Sequence, residues 1–294
     1  MRKQLGRLRD RVVKPATVKR YRIHVATFFS WISLSGRRIP AAVLEFDTQL
    51  CAYAECLWEE GDQKCILANV LSGLAHFVPA LRGHLPGPWR LYHAWSKSEP
   101  SDRAPPCSVR MTQAIAGVML DLGHPQAAMM TMVAFHCLLR TGEMLEVRST
   151  DCSTLPKSVQ LRLRDTKIGS RLGITEDVLV EDAWLLNVLR RLLPKVQRGA
   201  TIVGDSPYQY RLLWRRSCRI LKLPDEIQPY GLRRGGATAF FQSTGSFSKT
   251  ADRGRWGSER AMKTYVTSAL QEIAAQTWDD DATLLHYAAL LRKL

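Results

Sequence analysis

The segment Ser96-Lys97-Ser98-Glu99-Pro100-Ser101-Asp102-Arg103-Ala104-Pro105-Pro106 carries three prolines and no apolar period. Proline lacks an N–H and fixes φ, so neither a helix nor a central strand runs comfortably through such a stretch. A chain interrupted in this way folds as two bodies, each burying its own apolar face. The 294 residues suffice for two cores of ordinary size. The expected division is an N-terminal domain over 1–97, a linker over 98–106 and a second domain over 107–294.

Before the linker, apolar residues recur at helical spacing. Residues 15–34 read as a helix, with Val18, Tyr21, Val25, Phe28, Phe29 and Ile32 as the core stripe and Thr17 as its cap. Lys19, Arg20 and Arg22 fall on the other face, where they suit DNA phosphates. Further helices are expected over 47–60, begun by Asp47, over 63–81, and over 89–96 after a break at Pro86-Gly87-Pro88. This half is all-α.

The second half is mixed. Ser108 opens an amphipathic helix to Asp121, and Pro125 starts one running from Gln126 to Leu139 that is apolar on nearly every face and therefore buried. Residues 159–165 alternate strictly and read as a half-buried strand. The turn Thr166-Lys167-Ile168-Gly169-Ser170 follows, then a second strand to Val180. Asp182 and Ser206-Pro207 begin two more helices, the latter reaching Leu221. Arg211, Arg215, Arg216 and Arg219 repeat along it as a DNA-facing side. Helices are also expected over 231–242 and 281–291, with a short one begun by Ser258 and carrying Tyr265 near its end. The fold class is mainly α with a small β-hairpin or sheet: an α-helical domain followed by an α+β domain.

Composition narrows the partners. The net charge is +15, and residues 1–38 hold eleven Lys/Arg against the single Asp10. Arginine outnumbers lysine, and its planar fork matches phosphate oxygens, so a polyanion-binding face is indicated. No apolar run of roughly 18 residues is present, which argues against a membrane partner. Nor does an apolar core follow the basic Met1–Arg7 stretch, which disfavours secretion. Seven cysteines without a C-x-x-C pair read as reduced thiols inside a cell. Asp279-Asp280-Asp281 stand too close together for a two-metal site and read as a turn and helix cap, so no metal or other cofactor is expected.

Five positions carry the chemistry. Arg140 leaves the buried helix within Arg140-Thr141-Gly142-Glu143 and needs an anion, either Glu143 or a substrate phosphate. Lys167 sits in the hairpin turn. Arg233 lies in Tyr230-Gly231-Leu232-Arg233-Arg234-Gly235-Gly236, where arginine beside small residues suits an oxyanion close to the backbone. Trp256 and Tyr265 follow nine positions apart within a basic segment that also contains Arg255, a further DNA-binding candidate.

In this order and spacing the motifs resemble the tyrosine recombinase (phage integrase) family: R-T-G-E at Arg140, T-K-I-G at Lys167, Y-G-L-R from Tyr230 to Arg233, and Trp256 before Tyr265. The P-A-T-V-K-R-Y run from Pro15 resembles the family's core-binding domain, so the likeness spans nearly the whole chain. It implies a site-specific DNA recombinase or integrase of a mobile element, working without metal or ATP through a 3′-phosphotyrosyl intermediate. Double-stranded DNA would be clamped between the two domains, with dimers on each site and a tetrameric synapse. It implies a place with DNA in the cell: the nucleus in a eukaryote, the cytoplasm or nucleoid in a bacterium. Tyr265 would be the nucleophile and Arg140 and Arg233 the phosphate clamp, with Glu143 supporting. Trp256 would donate to the phosphate and Lys167 would protonate the departing 5′ oxygen. One position departs from the pattern: the family usually has His where this chain has Tyr230. A phenol can donate to phosphate but is a poor base near neutrality. That departure keeps open an alternative, a catalytically inactive DNA-binding descendant.

Overall fold

In the computed structural model the described residues are 7–100, 104–164, 166, 169, 173–274, 276 and 281–294, without the side chains of Arg9, Arg11, Ala261, Thr264 and Tyr265. The chain divides into two units, Met1–Asp102 and Arg103–Leu294.

Among the described residues the first unit has four α-helices, α1 (Pro15–Leu34), α2 (Val43–Glu59), α3 (Lys64–Phe77) and α4 (Pro86–Ser98). Phe28 and Ile32 of α1, Leu50, Tyr53 and Leu57 of α2, Leu67, Val70, Leu71 and Leu74 of α3, and Trp95 of α4 form its core. Several helix starts differ from the sequence reading. Pro15 itself opens α1, where its missing N–H costs nothing, and Thr17 is not a cap. Helix α2 starts at Val43 rather than Asp47, because Glu45 accepts from the backbone N–H groups of Ala41 and Ala42 at 2.7 and 3.4 Å. Asp47 instead accepts from the N–H of Gly87 at 3.0 Å, joining α2 to α4. Pro86-Gly87-Pro88 is not a break but the first turn of α4. Pro79 disfavours helical backbone at Val78, so α3 stops at Phe77 and a 3₁₀ turn carries the chain to Leu81.

The second unit is built on α5 (Val109–Asp121) and α6 (Pro125–His136), which pack on each other and are buried over most of their length. Ser108 caps α5 by accepting from Met111 N–H at 3.1 Å. After α7 (Thr141–Glu146) comes an antiparallel sheet in the order β1-β2-β3: Cys152–Thr154, Val159–Leu163 and Glu176–Val180. Its register pairs Val159 with Val180 and Leu163 with Glu176, the expected hairpin; strand β1, only three residues long, gave no alternating signal. Helices α8 (Ala183–Leu192), α9 (Pro207–Ile220), α10 (Gly231–Thr244), α11 (Phe247–Gly254), α12 (Glu259–Ala274) and α13 (Ala282–Leu290) follow the sheet. Asp182, Ser206 and Asp281 cap α8, α9 and α13 through their side chains.

Helix α10 lies close enough to its neighbours to exclude a side chain. A Cβ on Gly235 would stand 1.7 Å from the Cys107 carbonyl oxygen. The small residues after Arg233 therefore serve backbone-to-backbone packing within the domain, not the approach of an oxyanion. Helix α12 also differs from expectation, running nine residues past Tyr265 to Ala274. Met262, Val266 and Ala269 recur on one buried stripe, which sustains the helix beyond a single basic turn.

Candidate active site

The apolar run of α6 ends at His136, three residues short of the expected Leu139, because Leu138 turns left-handed with φ 52°. Leu138 remains buried, and the chain emerges at Arg140 in extended backbone. Glu143 ties the turn together. Its Oε2 accepts the Arg140 backbone N–H at 2.9 Å, and its Oε1 lies 2.5 Å from Arg140 Nη1. Glu143 is buried while the Arg140 side chain is 27% exposed, so Arg140 keeps a solvent-accessible edge although it is ion-paired.

Arg233, in the first turn of α10, is only 2% exposed. Its Nη1 donates to the Leu138 carbonyl and its Nη2 to the Gly254 carbonyl, each at 2.5 Å. Its guanidinium carbon stands 4.3 Å from the centre of the Trp256 ring. One side chain thus joins the α6–α7 turn, the end of α11 and the indole. Gly254 is required here: a Cβ on it would meet the Trp256 ring at 1.7 Å.

The last turn of α11 and the residue after it turn their cations inward. Arg253 Nε donates to the His136 carbonyl at 3.0 Å, and its Nη1 lies 3.7 Å from Glu181. Arg255 is left-handed at φ 56°, and its side chain is 10% exposed. It donates through Nη2 to Glu143 Oε2 at 2.6 Å, and its Nε faces Glu176 Oε2 at 3.7 Å. Arg140, Glu143, Arg233, Arg255 and Trp256 are therefore linked in one cluster.

Helix α12 is held beside this cluster by Arg234. That side chain is wholly buried and donates to both carboxylate oxygens of Glu272 at 2.8 and 3.0 Å, to Ser268 Oγ at 2.9 Å and to the Ala104 carbonyl at 2.7 Å. Removing the carboxylate would leave a buried guanidinium without its counter-charge. Because Glu272 is 39% exposed, we expect Glu272→Ala to cost about 2–3 kcal/mol, at the lower edge for broken buried pairs. In a domain of this size that is a fall in Tm of about 5–10 °C, readable by thermal unfolding.

The other predicted residues are placed as follows. Tyr230 immediately precedes α10 and is 45% exposed. Lys167 lies outside the described residues, although Thr166 and Gly169 in the same connection are described, with Gly169 N–H donating to Thr166 Oγ1 at 2.8 Å. Tyr265 falls in the middle of α12. His136 lines a cavity of about 390 Å³ with Arg110, Asp182 and Trp184. Burial depresses its pKa, the Asp182 carboxylate opposes that shift and Arg253 adds to it. Lys19, Arg20 and Arg22 are exposed on α1, and Arg211, Arg215 and Arg219 on α9. Among the described residues no His, Cys, Asp and Glu side chains group as a metal site, and no helix is long and apolar enough to cross a membrane.

No model of a protein family matches the sequence, and no curated protein does. Solved structures do match. The integrase of the Tn1549 transposon, in complex with transposon right end DNA, aligns with a TM-score of 0.59 over 90% of this chain and 95% of that one, at 12% identity. A lambda integrase dimer bound to a COC′ core site aligns with a TM-score of 0.54 over 87% of this chain and 89% of that one, at 15% identity. Both are tyrosine recombinases. The chain has the tyrosine recombinase fold.

Within that recombinase fold, sequence reasoning missed Arg234, Glu272 and Glu176. Arg234 and Arg233 are adjacent and of one type, so nothing local separated the residue facing the Arg140 cluster from the one facing α12. A helical residue advances by about 100°, and that rotation alone assigns them. Glu272 carried one usable signal, its spacing of four from Ser268 on a helix with an apolar stripe.

Proposed function

We propose that this chain is a site-specific DNA strand transferase that cuts and rejoins duplex DNA through Tyr265. The observation carrying this reading is the meeting of Arg140, Arg233 and Trp256 in one charged cluster, with Tyr265 on the adjacent helix α12. The exposed cations of α1 and α9 support DNA as the substrate.

The phenol oxygen of Tyr265 attacks the phosphorus, the P–O5′ bond breaks, and a 3′-phosphotyrosyl ester forms. The phenolic proton passes to water as the bond forms, and the departing 5′ oxygen takes a proton from Lys167. A 5′-hydroxyl of a second DNA end then reverses the step, so the ester's energy is retained and neither ATP nor metal enters the balance. Negative charge gathers on the non-bridging oxygens in between. Arg140 and Arg233 oppose it with guanidiniums that Glu143, Leu138 and Gly254 already hold in place, so little reorganisation is needed. Tyr230, exposed and three residues before Arg233, donates its hydroxyl to the same phosphate in this reading. Assembly as dimers on each site and a tetramer across two sites, and service to a mobile element, belong to the same proposal.

Covalent trapping tests it. The protein is incubated with duplexes, selected from a random pool for tight binding, and then denatured. A protein–DNA adduct that survives denaturation is the expected result. Tight binding at moderate salt to a confirmed specific site with no adduct would sink the enzymatic reading. It would leave the second reading, a DNA-binding descendant without turnover, which the phenol at Tyr230 in place of an imidazole favours.

A further inference from the structure

Arg255 stands among the cations of the sequence as one more candidate for DNA phosphate, yet its side chain is nine-tenths buried and aimed at Glu143 and Glu176. Among the described residues, its Nε and Nη1 and the Glu176 Oε2 are buried with no hydrogen-bond partner. The two side chains face each other at 3.7 Å, as an ion pair beyond hydrogen-bond reach. This is a charge contact rather than a close structural bond.

We propose that Arg255 is a positioning residue that neutralises Glu143 and Glu176 and so leaves Arg140 usable by a phosphate. The inference rests on the strand-transfer reading above. Its logic is electrostatic. Arg140 and Arg255 pair with Glu143 and Glu176. Arg233, held on the Leu138 and Gly254 carbonyls, brings a third guanidinium to the cluster. Three positive charges thus stand against two negative ones, and one is left for a phosphodiester. Without Arg255 the count is two against two. Glu143 would then rest wholly on Arg140, and Glu176 would remain as a partly buried carboxylate beside the same turn. An arginine fully occupied by carboxylate is a weak ligand for a monoanionic phosphate. Removing the Glu176 charge as well returns the balance to one positive charge, although one cation fewer is present.

The test compares adduct formation by the full chain on a nicked duplex carrying its binding site, for the parent, Arg255→Gln and the double variant Arg255→Gln/Glu176→Gln. Thermal unfolding and DNA affinity are read in parallel. Arg255→Gln is expected to slow adduct formation by about 10- to 100-fold, the range seen when a group supporting a primary ligand is lost. The double variant is expected to recover at least about tenfold of that loss. A purely steric role predicts no recovery, since the second substitution restores charge and not shape. A double variant that folds and cleaves no faster than Arg255→Gln overturns the inference, as does an Arg255→Gln chain that cleaves like the parent. If Arg255→Gln fails to fold, the double variant decides: folded and cleaving supports charge balance, and unfolded or inactive overturns it. A loss that follows DNA affinity alone also overturns it, because that marks direct phosphate contact. Absence of adduct from the parent is a separate result, one that overturns the strand-transfer reading and this inference with it.

Discussion

Tyr265→Phe is expected to abolish the covalent protein–DNA adduct while leaving duplex affinity and thermal stability near those of the parent. The substitution removes one oxygen, the atom that would bond to phosphorus. Helix propensities of Tyr and Phe are nearly equal, and position 265 lies well inside α12, away from either end. The helix itself is held by Met262, Val266 and Ala269 in its buried stripe and by Glu272 on Arg234. Loss of the adduct therefore reports chemistry and not folding. An adduct of undiminished yield in the Phe chain would move the nucleophile elsewhere and remove the basis for a phosphotyrosyl mechanism.

Arg233→Lys should be nearly as severe despite conserving charge. A lysine carries one compact ammonium, and it cannot bridge the Leu138 and Gly254 carbonyls while lying flat on the Trp256 ring. Loss of one oriented donor to a developing oxyanion costs about 10²–10³-fold in rate, and we expect that range in single-turnover adduct formation. Stability should fall too, because at least one buried carbonyl loses its donor, at about 1–3 kcal/mol. The two effects separate in measurement: a rate that falls no more than the folded fraction would show Arg233 to be a structural bracket only.

Much of this architecture was legible in sequence because its signals are local. Ser108, Asp182, Ser206 and Asp281 each precede an apolar helical period, and each accepts backbone N–H groups as such residues do at helix starts. The strand alternation read over 159–165 was equally legible, although the strand itself ends at Leu163. The misreadings share a different cause. Helix α11, F-S-K-T-A-D-R-G, has little apolar content and is stabilised by packing on α10 and α12, which no window of sequence contains. Asp47 resembled a cap but serves Gly87, forty residues away. The site divides in the same way. The Arg140–Glu143 contact spans three residues and was foreseeable, whereas Arg255 with Glu143 spans 112 and Arg234 with Glu272 spans 38. Charge patterning alone had placed Arg255 on the outside.

Two corners flank the cluster, Leu138 and Arg255, and both hold left-handed backbone without being glycine. For a residue with a Cβ that basin is small and walled by steric clashes, and holding it costs of order 1 kcal/mol. Glycine in either place would open a broad range of φ and let the loop flex. Side chains there make each loop stiff, so the carbonyl of Leu138 and the guanidinium of Arg255 keep their directions through thermal motion. Between Arg255 and the start of α12 stands Gly257, where an added Cβ would meet nothing within 4 Å, so the space there would admit a side chain. Glycine in place of Leu138 or Arg255 would therefore loosen the two corners that brace the cluster, whereas a side chain at Gly257 would disturb neither.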